Sequence, residues 1–69
     1  MALERISSSF RLSVIQENYL LQQLGQLVPD ATSAKIERID YDSGRAEVLY
    51  SSKKKGEKQQ RINLGINPP

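Results

Sequence analysis

Apolar residues recur at helical spacing from Ser13 to Val28 (SVIQENYLLQQLGQLV), and from Lys35 onward they alternate with polar residues as strands do. The first pattern predicts one helix. Ser13 followed by Gln16 has the form of a capping box, in which the serine hydroxyl accepts an orphan N–H and the glutamine side chain reaches back. Glu17 suits the positive end of the helix dipole. Pro29 biases Val28 out of the helical region, so the helix should end at Leu27 or Val28. Gly25 lies inside it at a cost of about 1 kcal/mol relative to alanine.

The apolar side chains of this helix spread over a wide arc. Ile15, Leu20, Leu24 and Leu27 are expected to face a sheet. Val14, Leu21 and Val28, together with Gly25, carry the arc further round. Glu17 is the only charge in the stretch, and the other polar residues are amides. A helix lying on a small sheet normally has Lys and Glu on its free half, so this one is expected to need a second cover. Val14, Leu21, Gly25 and Val28 are the predicted interface, with a second copy or a larger protein as partner.

The strand-forming part contains two turns. Asp42-Ser43-Gly44-Arg45 separates KIERIDY from AEVLYSS, and Lys55-Gly56-Glu57 separates AEVLYSS from KQQRINLGI. A one-residue slip would exchange the faces, so register follows from matching apolar positions. Pairing Tyr41 with Ala46 sets Ile39 against Val48, and pairing Lys54 with Lys58 sets Tyr50 against Ile62 and Val48 against Leu64. The predicted inner face then also holds Tyr41 and Ile66, while Ile36 and Leu49 fall on the wet face. Residues 1–12 alternate at Ile6, Ser8, Phe10 and Leu12 but contain three consecutive serines, which leaves an N-terminal arm or a short edge strand open. The predicted fold is α+β: one amphipathic helix on a three-stranded antiparallel β-meander, with the domain proper at 13–67.

Length and composition sharpen this. A chain of 69 residues buries only about 60% of its unfolded surface and is marginal alone. It has neither cysteine nor histidine, so disulfides and the common zinc patterns are excluded and association is the remaining source of burial. Neither a membrane span nor a signal-peptide h-region is present, which sets the expectation of a cytoplasmic protein.

Candidate chemistry is sparse. Without histidine, general acid–base catalysis would have to use carboxylates, and Glu37, Asp40, Asp42 and Glu47 match no calcium loop. No enzyme activity, cofactor, metal or small-molecule substrate is expected. Residues 1–50 carry five basic and seven acidic side chains, a balance of −2, and residues 51–69 carry five and one, a balance of +4. Lys53, Lys54, Lys55, Lys58 and Arg61 therefore form a local basic turn that suits nucleic-acid phosphates. A lysine-rich turn also blocks edge-to-edge sheet pairing, which is its plainer use. The sequence thus points first to a non-catalytic assembly or adaptor module and second to a small nucleic-acid-binding protein.

Overall fold

Ser13 caps the helix as its sequence predicts. In the computed structural model its hydroxyl accepts the Gln16 N–H at 3.1 Å, and the Gln16 side chain accepts the Ser13 N–H at 3.1 Å. Residues 3, 5–56 and 58–69 are described, apart from the side chain of Lys55. Met1, Ala2 and Glu4 of the expected arm, and Glu57 of the second expected turn, lie outside the described residues. Helix α1 runs over Val14–Leu27 and closes with the Val28 N–H donating to the Leu24 carbonyl at 2.7 Å. No helix among the described residues is long and apolar enough to cross a membrane.

Three antiparallel strands follow in the order β1-β2-β3: β1 is Ala31–Asp40, β2 is Arg45–Ser52 and β3 is Gln60–Gly65. The fold is therefore α+β, one helix packed on an open three-stranded meander. Both hairpins differ from the predicted register by two residues, because their turns sit elsewhere. In the first, the Asp40 carboxylate accepts the N–H groups of Asp42 (3.1 Å) and Ser43 (3.3 Å), and Gly44 takes φ 69°. The turn is drawn one residue towards the N-terminus, so Asp40 pairs with Arg45 and Ile39 with Ala46 rather than Val48. Tyr41, predicted to lie inside, is in the turn and 62% exposed. In the second hairpin, Lys53–Lys55 wind into a 3₁₀ turn that Gly56 ends at φ 65°. The strands consequently stop earlier than expected, Val48 opposes Ile62, and Tyr50 opposes Gln60.

Slips of two residues preserve the faces, so the inner surface keeps Ile39, Ala46, Val48, Tyr50, Ile62 and Leu64. A bulge between Ile36 and Arg38 changes one assignment. It turns Ile36, predicted wet, inward, where it pairs with Val48 and is fully buried. The core beneath α1 consists of Leu20 and Leu24 of the helix, Ala34 and Ile36 of β1, Ala46 and Val48 of β2, and Leu64 and Ile66 at the end of the chain.

The segment before the helix joins this core. Ser7 bridges β1 in parallel: its N–H donates to the Ala34 carbonyl (3.0 Å) and its carbonyl accepts the Ile36 N–H (2.9 Å). Ile6 is buried, with Leu3 and Leu12 half-buried against the same cluster. This segment thus covers the outer edge of β1 at those two residues.

Ile15 and Leu27 differ from expectation: both were predicted to face the sheet, and they are 67% and 62% exposed. At about 100° per residue Ile15 stands on the opposite side of the helix from Leu24 and so faces water, while Leu27 shares the side of Leu20 and Leu24 but lies in the last turn. Leu24→Ala should cost about 2–5 kcal/mol, while Leu27→Ala should change stability by no more than about 0.5 kcal/mol. Urea denaturation of the two variants measures this contrast, and equal losses would contradict the packing described.

Candidate interaction surfaces

Three surfaces gather polar or exposed apolar groups: the free side of α1, the lysine turn, and the sheet face turned away from the helix.

Of the four helix residues predicted as an interface, Val14 is 71% exposed and Gly25 is open to solvent. A Cβ built on Gly25 would meet nothing within 4 Å, so no packing among the described residues requires a glycine there. Leu21 and Val28 are half-buried against the chain's own core. The wide apolar arc is therefore covered at home on that flank and left bare at Val14, Ile15 and Leu27. Two of the amides have structural partners. The Gln23 side chain donates to the Gly65 carbonyl at 2.7 Å and accepts the Gly65 N–H at 3.3 Å. The Gln16 side chain donates to the Asn67 side-chain oxygen at 3.1 Å. Neither partnership was legible from spacing, since the residues stand 42 and 51 positions apart.

The lysine turn is held by a residue from outside the basic stretch, Asp30, which lies between α1 and β1. Asp30 accepts the Lys53 N–H on its carbonyl (3.4 Å) and the Lys54 N–H on its carboxylate (2.9 Å). The turn's own flanking residue, Ser52, offers no side-chain cap, so Asp30 supplies the missing acceptor from another segment. That N–H bond from Lys54 holds the Asp30 carboxyl below its ordinary range. Lys53, Lys54 and Lys58 are exposed. Arg61 is separate from them: it lies on β3 opposite Leu49, which on its other side pairs with Lys35. A cross-strand row Lys35–Leu49–Arg61 thus crosses the outer sheet face on the side towards the lysine turn.

The far end of that outer face has a shallow, open depression of about 250 Å³ lined by Arg38, Asp40, Ser43, Arg45, Glu47 and Asn63. Two cations face two carboxylates there, so it has no net preference for an anion. It is also smaller and flatter than the clefts that enclose small ligands. Among the described residues no three Asp, Glu, His or Cys side chains come together as a metal site.

No protein-family model, curated protein or solved structure matches this chain.

The Asp30 contact has a pH signature. A carboxyl whose folded pKa is lowered contributes stability above its unfolded pKa, and that contribution disappears as pH falls through the folded value. Asp30→Asn should lower the melting temperature near neutral pH, and the gap should close in acid below the carboxylate range. A gap that stays constant from neutral pH into acid would show that the carboxylate charge plays no part.

Proposed function

We propose that this chain is a non-catalytic interaction module that docks on a protein partner through the free side of α1. One observation carries the reading: the water-facing side of the helix has no fully exposed charge, yet it leaves Val14 and Ile15 in solvent. Gly25 supports it further. The glycine costs about 1 kcal/mol inside a helix, and a Cβ added there would meet nothing within 4 Å among the described residues, whereas a missing Cβ lets a second backbone come close. The amides Asn18, Gln22 and Gln26, all exposed, would satisfy polar groups on the partner without bringing a charge into the seam.

A second reading follows from the cations. The row Lys35–Leu49–Arg61 and the exposed Lys53, Lys54 and Lys58 lie towards the same end of the sheet. Such a band suits a phosphate backbone, with affinity arising from counterion release.

Two helix variants test the first reading. Ile15→Glu falls in the first turn, where a carboxylate suits the dipole, so the isolated chain should melt at or above the wild-type temperature while partner binding is lost. Gly25→Ala should stabilise the isolated chain by roughly 0.5–1 kcal/mol and weaken the complex. Cross-linking followed by mass spectrometry on cells carrying each variant reads the outcome, and identical partners for all three chains would end the reading. The second reading is checked by titrating labelled DNA and RNA at rising salt. It predicts an affinity that drops steeply with salt and is lost when Lys35, Lys53, Lys54 and Lys58 become alanine.

A further inference from the structure

The two edges of the sheet are finished differently. β2 alternates its main-chain bonds, and contacts at both margins show which residues of each edge strand point outward. On β1, Ala34 and Ile36 present their groups away from β2, and Ser7 accepts and donates there. On β3, the Ile66 N–H donates to the Gly44 carbonyl at 2.9 Å, so even-numbered positions point towards β2. Gly65 points the other way, and both its main-chain groups are taken by Gln23. By the same alternation Arg61 and Asn63 also turn their N–H and C=O groups outward. Their side chains are exposed on the outer face, and among the described residues no strand, arm or proline covers their main chain.

From this edge we infer that the chain dimerises by antiparallel pairing of β3 with β3 of a second copy, centred on Ile62, to form a continuous six-stranded sheet. The inference is independent of the α1 reading. Three features choose both the occupant and the register. Centring on Arg61 would oppose two guanidinium groups, which is unfavourable. Centring on Asn63 would require Gly65, which Gln23 already holds. Centring on Ile62 sets Arg61 against the partner's Asn63 in a narrow pair that exchanges both main-chain bonds, and symmetry supplies a second such pair.

The side chains agree with that register. Ile62 is half-buried on the inner face, and in a wide pair it would lie close against the partner's Ile62. The two-fold axis is perpendicular to the sheet, so both helices fall on the same side. Leu27 follows Gln23 by four residues and so shares its helix flank, the one leaning on β3, yet it is 62% exposed. The second copy would bring apolar cover to that flank. The chain has no cysteine, and no metal cluster among the described residues offers it another staple.

Asn63→Pro separates the dimer from the fold. Its N–H points outward, so proline removes no bond of the β2–β3 ladder and occupies an edge position that tolerates it. Half of the proposed inter-chain bonds disappear, and self-association should weaken by at least about tenfold. Sedimentation equilibrium of the full chain over a concentration series reads this, with circular dichroism confirming that the variant stays folded. Hydrogen exchange on the wild type supplies a readout free of mutation: the Arg61 and Asn63 amides should become protected as concentration rises, while the Val48 amide, inside the sheet, is protected throughout. A chain that is monomeric at every concentration would overturn the inference. So would a dimer in which those two amides exchange freely, or one whose folded Asn63→Pro variant associates as strongly, since assembly would then belong to another surface such as α1.

Discussion

The alternation of the central strand governs this molecule. β2 has neighbours on both sides, so each of its residues spends its main-chain groups on β1 or β3 and its side chain on the inner or outer face. Ala46 and Val48 go inward, and Leu20 and Leu24 find their apolar partners there. The same pleat sends Leu49 outward between Lys35 and Arg61, which builds the basic row. It also decides which groups remain unpaired at the margins. A shift of β2 by one residue would turn the core into water and the charges into the core.

Much of this was legible because it depends on local chemistry. Ser13 and Gln16 announce the start of the helix, Pro29 announces its end, and glycines mark both turns. Apolar alternation gives the faces correctly, since an error of two residues leaves parity intact. What was not legible was set by competition between turns. The Asp40 carboxylate outbids the Asp42-Ser43-Gly44-Arg45 reading by capturing two N–H groups, and the lysines prefer a 3₁₀ turn to a tight hairpin. Ile36 was misassigned because a bulge adds a residue and reverses parity beyond it, and nothing in KIERIDY marks where that happens. Ile15 and Leu27 were misassigned for different reasons: Ile15 stands on the opposite side of the helix from Leu24 at about 100° per residue, whereas Leu27 shares that side but lies in the last turn, and angular position does not reveal how far along the axis the cover extends.

The amides of α1 have two distinct uses. Spacing alone presents Gln16 and Gln23 as members of an uncharged face, whereas each ties the helix to the end of the meander. Gln23 imitates a short piece of strand, offering a donor and an acceptor to one residue, Gly65. The closeness at Gly65 shows in its surroundings: an added Cβ would lie 3.7 Å from the Tyr19 ring and 3.8 Å from the Gln23 side-chain oxygen. Asn18, Gln22 and Gln26 have no such role and remain exposed. The candidate surface on the helix is therefore narrower than its composition suggests.

The tethers from Gln16 and Gln23 have a consequence for the order in which the molecule is made. Their partners, Asn67 and Gly65, are 51 and 42 residues downstream. On the ribosome the helix emerges early, but it cannot seat until β3 has been synthesised, and Leu20 and Leu24 meanwhile lack the strand they pack against. The two hairpins close over short separations and can form first, leaving helix docking as the late step that requires the longest loop closure. During that interval the apolar side of the helix, Leu20 and Leu24 included, lies open to water.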